Sequence, residues 1–232
     1  MIRALLTMDD IASVNTPAIV DYLEEHKIPV VMFAWGQKVE EHYEEALYAL
    51  KKGIIVGNHS FTHPAFSSIT FEEGVEEIEK CEKVLDKLYK DAGVERKYRP
   101  FRFPYGDKGG DKKALLQDYL SSHGFHKVDD SSITYPWWKE RGLDKDIDTF
   151  WTYDFAEYNI RPNSGFTIDD VFKNMHDMNP GSGAPLFAPD SYHMLLFHAH
   201  DETEEMVPLY YKKVLDECLK NGVEFVEPAF RI

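Results

Sequence analysis

Two adjacent aspartates, Asp9-Asp10, and two histidines four apart, His59 and His63, carry atoms that suit a divalent metal ion. Two neutral imidazoles and one carboxylate leave coordination positions open for water, the ligand pattern of a hydrolytic zinc centre. Farther along the chain stand Arg102-Phe103-Pro104-Tyr105-Gly106, Asp154-Phe155-Ala156-Glu157-Tyr158 and His198-Ala199-His200-Asp201. Beside a metal, these add carboxylates that accept protons, imidazoles that donate them, and a guanidinium that keeps a carboxylate ionised. Singly, each group has a plain structural reading. Paired aspartates begin loops and cap helices. An isolated His-x-x-x-His is usually two polar residues near a turn, Arg102 would be an ion pair, and His198 would be a satisfied core histidine.

What sets these groups apart is where they fall. Each follows a run that reads as a strand: 2–7 before Asp9, 54–56 before His59, 98–103 around Arg102, 148–153 before Asp154 and 194–197 before His198. Further strands are expected at 29–34, 125–128 and 223–226. Between them lie amphipathic stretches at 16–26, 38–52, 71–92, 112–123, 168–178 and 204–221. In the clearest helix, 71–92, Val75, Ile78, Val84, Leu85 and Leu88 recur near the helical period behind a Thr70/Glu73 capping box. Strand–helix alternation means parallel strands with crossover helices. The expected fold is α/β, a distorted (β/α)7-type barrel, with a doubly wound open sheet as the alternative. One domain over 1–232 is expected, with the longest loops at 129–147 and 179–192. In such a barrel the loops after the strand C-termini build the active site, so the chemical groups would gather on one face.

At these residues the sequence resembles the NodB-type polysaccharide deacetylases, carbohydrate esterase family 4. Five ordered motifs carry the resemblance: Thr7-Met8-Asp9-Asp10-Ile11, His59-Ser60-Phe61-Thr62-His63, Arg102-Phe103-Pro104-Tyr105-Gly106, Asp154-Phe155-Ala156-Glu157-Tyr158 and Leu196-Phe197-His198. The resemblance implies that Asp9 is the general base and that Asp10, His59 and His63 hold the metal, most simply Zn. It implies that Arg102 positions Asp9 through a bidentate pair and that the Tyr105 N–H binds the oxyanion. It further implies that His198 is the general acid, held by Glu157. Asp154 would be a nearby structural carboxylate. Trp35, Tyr105, Asp154 and His200 are weaker candidates for substrate contact. Three positions depart from the family's pattern: Ile11 stands for Gly, Glu157-Tyr158 for Asp-Trp, and His198-Ala199-His200 brings a second histidine.

The 26 Lys+Arg against 41 Asp+Glu give a net charge of −15, which argues against a nucleic-acid or polyanionic partner. The acidic helix around 72–82 reads as a solvated face. Cys81 and Cys218 fall in expected helices and read as reduced, semi-buried thiols rather than a disulfide. No apolar run reaches membrane-spanning length, and no signal peptide is visible, so a cytoplasmic location is expected unless a leader has been trimmed away. Trp137-Trp138 read as residues packed under the barrel, with a sugar-stacking platform as the other reading. Tyr210-Tyr211 read as helix packing.

The function expected is a metal-dependent hydrolase that removes N-acetyl groups from N-acetylated sugars, with a small-molecule or oligosaccharide substrate. One alternative is the same scaffold acting on a ureide, formamide or cyclic imide. Another is a catalytically silent carbohydrate-binding protein.

Overall fold

Strand β1, Ile2–Ile11, is the axis of the sheet, because it is buried along nearly its whole length. The computed structural model describes residues 1–231. The chain continues through α1 (Thr16–Glu25), β2 (Val30–Ala34), α2 (Gly36–Glu41), α3 (Tyr43–Lys51) and β3 (Ile55–Asn58). Next come α4 (Phe71–Ala92), α5 (Lys113–Ser122), β4 (Lys127–Val128), α6 (Pro136–Glu140) and β5 (Tyr153–Asp154). Then follow α7 (Ile168–Met175), β6 (Ser191–His198), α8 (Asp201–Met206), α9 (Tyr210–Lys220), β7 (Val223–Phe225) and β8 (Phe230–Arg231). The main sheet is parallel, in the order β3-β2-β1-β6-β5. β7 pairs with β1 at Ile2–Ala4, below the point where β2 takes over at Leu6. Helices cover this sheet, as the alternation predicts. Among the described residues no helix is long and apolar enough to cross a membrane.

The expected strand at 98–103 forms only a single bridge, Asn58 to Phe101. Pro100 and Pro104 lack the N–H groups that a ladder needs. The Pro100 carbonyl nevertheless accepts the Asn58 N–H, Arg102 N–H donates to Asn58 O, and Thr149 N–H donates to Phe101 O. These irregular bonds carry the backbone from β3 round to the segment that enters β5, which is the distorted side of the barrel. Gly57 makes the approach possible, since a Cβ there would meet the Pro100 carbonyl at 2.5 Å.

Other elements differ from expectation for local reasons. The helix expected at 38–52 starts earlier and divides at His42, which sits at φ −122° and ψ 52°. The helix expected at 204–221 divides at Pro208, whose ring removes a helical N–H, followed by Leu209 at φ 60°. The strand at 125–128 shrinks to β4 and pairs antiparallel with β8, away from the main sheet. Within 129–147, α6 buries Trp138, and its indole N–H donates to Asp130 at 2.8 Å, which agrees with the packing reading. Cys81 and Cys218 are free but fully buried rather than half-buried. The 71–92 helix forms as expected, with its capping box at Thr70 and a left-handed Gly93 at its end.

Candidate active site

β1 brings both aspartates to one cavity by breaking the rule of a strand. Adjacent side chains on a regular strand point to opposite faces. Between Met8 and Ile11, three steps on β1 face two on β2, a bulge, and Asp10 takes φ 62°. The left-handed step falls on Asp10, so Ile11 stays in the ladder opposite Ala34 and needs no glycine. Both carboxylates then line a cavity of about 610 Å³ at the C-terminal ends of the strands.

Asp9 is held by Arg102. The fully buried guanidinium lies over the Phe33 ring, 4.5 Å from its centroid. Its Nη1 donates to Asp9 Oδ1 at 2.7 Å and to Thr7 Oγ1 at 2.8 Å, while Nε donates to the Thr149 carbonyl. The contact with Asp9 is therefore single-point, not the bidentate pair expected. Thr7 Oγ1 accepts from the same nitrogen, which carries two hydrogens.

The His59–His63 segment is not helical. Ser60 and His63 have φ 68° and 61°, and these two left-handed steps bring the rings to 4.9 Å between centroids. The segment docks on the start of α2, whose first N–H groups donate to the Ser60 and Phe61 carbonyls. From the other side, α4 anchors it. Glu77 accepts from the Phe61 and Thr62 N–H groups, and Asn58 donates to Glu82 while accepting from the Ser60 N–H. Glu82 is itself bound by Arg96 and Arg99. Glu77 and Glu82 are thus not part of a solvated face.

Around Asp10 three donor atoms converge. His63 Nε2 lies 3.3 Å and His59 Nε2 3.6 Å from Asp10 Oδ1. His59 Nδ1 donates to the Arg102 carbonyl at 2.8 Å, which turns its Nε2 toward the cluster. Asp10 Oδ1 is buried and has no hydrogen-bond partner among the described residues. An oxygen that a metal would satisfy is the property expected of a ligand here, so these three residues fit a divalent ion. Burial pushes the His63 imidazole down to about 4, and nearby His59 adds to the shift. Its ring is therefore neutral at pH 7, the form that binds metal. Burial opposes the Asp10 charge, yet the His200 hydrogen bond and the surrounding imidazoles hold this carboxyl well below the usual carboxylate range.

On the opposite wall, β6 delivers His198 beside Asp9, its register partner on β1. Glu157 Oε1 accepts the His198 backbone N–H at 2.6 Å and its ring Nδ1–H at 3.0 Å. The turn that carries Glu157 begins at Ala156, φ 55°, with the Ala156 N–H donating to Asp154. Burial alone would discharge His198, but the Glu157 carboxylate outweighs it, helped by Asp10 and Asp154, and the imidazole rises to about 10. Burial pushes Asp154 up to about 6, with Glu157 adding to the shift.

The cavity unites the expected residues Asp9, Asp10, Trp35, His59, His63, Tyr105, Asp154, His198 and His200. Arg102 and Glu157 sit behind them, touching Asp9 and His198. Trp35 stacks on His63 at 4.7 Å, and Tyr105 meets the same imidazole edge-on at 4.6 Å. Tyr105 is 70% exposed at the rim, and its backbone is left-handed at φ 58°. His200 does more than line the cavity, since its Nε2 lies 2.6 Å from Asp10 Oδ2.

Sequence reasoning missed several residues that shape the site. Trp151 forms part of the wall, and Gly106 makes room for it, because a Cβ there would meet the indole at 2.6 Å. Glu82 falls four residues after Ile78 and three before Leu85, on the apolar stripe, and that position was the available signal. Tyr210 accepts the His200 N–H and donates to the His198 carbonyl, a role no local pattern announces.

Relatives and folds agree with this architecture. The chain is 31% identical over 103 residues to a peptidoglycan-N-acetylglucosamine deacetylase of Bacillus cereus, a match covering 44% of this chain and 36% of that protein. It is 29% identical over 186 residues to chitin deacetylase 1 of Cryptococcus neoformans, covering 76% of this chain and 38% of that one. The matches thus span little more than a third of the length of these two curated relatives. In fold it is similar to a solved polysaccharide deacetylase of Bacillus cereus, with a TM-score of 0.64 at 19% identity, over 98% of this chain and 92% of that one. The sequence profile of the family described as polysaccharide deacetylase matches residues 2–128, more than half of the chain, and this chain belongs to that family.

Proposed function

We propose that the whole chain, 1–232, is one catalytic domain that hydrolyses the acetamide of N-acetylated sugars with the help of a divalent metal, zinc by its ligand set. The observation that carries this reading is the unpartnered Asp10 Oδ1 facing two imidazole nitrogens, with an Arg-held aspartate and a Glu-held histidine on flanking walls. The relatives are a peptidoglycan-N-acetylglucosamine deacetylase and a chitin deacetylase, which favours a sugar amide over a ureide or imide.

Asp10, His59 and His63 are the residues that would hold the ion. Such an ion supplies positive charge that acidifies water and polarises a carbonyl. Asp9, kept beside the Arg102 guanidinium, takes the proton of the attacking water. The Tyr105 N–H, at the cavity rim, donates to the developing oxyanion. One such donor contributes on the order of 3 kcal/mol to transition-state binding. His198 gives its proton to the departing amine. Its Nδ1–H is committed to Glu157, so the proton that leaves is the one on Nε2. Trp35, Tyr105, Trp151 and Tyr158 surround the cavity, and their ring faces suit the apolar faces of a pyranose. Asp154 stiffens the turn that carries Glu157.

The test is acetate release from N-acetylglucosamine oligomers, with and without chelator, beside a panel of ureides and cyclic imides. Acetate release that stops on chelation is expected. Turnover of imides or ureides with no acetate from any sugar overturns the assignment.

A further inference from the structure

Asp10 has two carboxylate oxygens, and the structure gives them different work. Oδ1 faces His59 and His63, while Oδ2 accepts a hydrogen bond from His200 Nε2 at 2.6 Å. We infer that His200 is a positioning residue that orients Asp10 for metal binding, an assignment that rests on the metal reading above.

The placement of His200 follows from the chain. It lies two residues past His198 in extended backbone, φ −100° and ψ 122°, so the two rings share one side of the strand exit. Their centroids are 5.3 Å apart, yet each ring has its own carboxylate: Glu157 for His198 and Asp10 for His200. Tyr210 fixes this separation. Its buried hydroxyl accepts the His200 N–H at 3.1 Å and donates to the His198 carbonyl, and its ring stacks on Phe197 at 5.3 Å and 12°. His200 is 21% exposed at the side chain, enough to line the cavity but not to swing freely.

A carboxylate with one oxygen tied to a ring N–H has lost its rotation about the Cβ–Cγ bond. Its other oxygen then points at the metal position without an ordering cost on binding. The bond uses Nε2–H as donor, so the same nitrogen is not free to ligate. Hydrogen-bond partners of metal ligands typically change affinity 10- to 100-fold when removed.

The test is equilibrium zinc affinity of apo protein, by competition with a chromophoric chelator, for wild type, His200→Ala and His200→Gln. The glutamine keeps an N–H donor near the position of Nε2. We expect His200→Ala to raise the zinc Kd by about 10- to 100-fold and His200→Gln to recover most of that loss. Unchanged circular dichroism and apo thermal midpoints in both variants will show that the fold is intact. A Kd for His200→Ala within twofold of wild type overturns the assignment, as does a raised substrate KM with unaltered zinc affinity. Wild-type protein that takes up no zinc overturns the metal reading itself, and this assignment with it.

Discussion

Glu157 Oε1 receives both the backbone N–H and the ring Nδ1–H of His198, at 2.6 and 3.0 Å. The family's pattern has an aspartate at this place. Here the longer side chain reaches from a buried turn that opens at the left-handed Ala156. The double contact fixes the ring's orientation and raises its affinity for a proton.

The pH profile should report this pair. With His198 raised by Glu157, the alkaline limb of kcat/KM should lie above the ordinary imidazole value of 6.5. In Glu157→Gln the largest opposing charge is gone while burial remains, so the imidazole should lose its proton at a lower pH than in wild type, with only Asp10 and Asp154 left to oppose burial. Activity at pH 8 should then fall with the protonated fraction, by up to about 30-fold for an imidazole that returns to an ordinary 6.5. An alkaline limb that stays in place would separate Glu157 from the proton donor. The same shift has a stability sign. The pair's contribution is complete below about 6.5 and is lost as pH rises through about 10.

Metal removal should lower stability as well as activity. A ligand bound only by the folded state and present at 100 times its Kd adds about 2.7 kcal/mol. For a chain of this length that is a rise of about 5–10 °C in the thermal midpoint. Differential scanning calorimetry with zinc and with chelator measures it, and identical midpoints would argue that Asp10, His59 and His63 take no ion.

Glu82 should matter although it lies behind the site. It holds Asn58, Arg96 and Arg99, and removing one member of a buried ion network costs about 3 kcal/mol. Glu82→Ala should lower the thermal midpoint by about 6–12 °C. The Arg96 guanidinium overcomes burial and lowers this carboxyl below its ordinary 4.5. Its contribution is therefore present above about 4.5 and is lost as pH falls through the lower folded value. A midpoint within 2 °C of wild type, by the same calorimetry, would place Glu82 outside the framework that carries His59.

Most of the order of elements and the gathering of Asp9, His59 and His198 at strand ends were legible from strand–helix alternation, whereas the strand expected around Arg102 is only a single bridge. The aim of these side chains was not legible. Asp10, Ser60, His63, Tyr105 and Ala156 all take positive φ around the cavity, and L-residues enter that region only where surrounding structure holds them. No sequence period encodes such steps. The acidic stretch of α4 misled for a related reason: composition reads Glu77 and Glu82 as solvent-facing, whereas partners far along the chain turn them inward. His200 and Tyr210 belong to the same class, since the bonds from His200 to Asp10 and from Tyr210 to the His198–His200 segment exist only after β1, β6 and α9 have assembled.

Acetate release from N-acetylglucosamine oligomers by zinc-loaded wild type and Asp9→Asn tests the central claim most directly, with bound zinc measured in the same samples. Wild type should release acetate, while Asp9→Asn should keep its zinc and lose at least about 100-fold in turnover, the share of a general base. Full activity in Asp9→Asn, or no acetate from any N-acetylated sugar with zinc-loaded wild type, would contradict it.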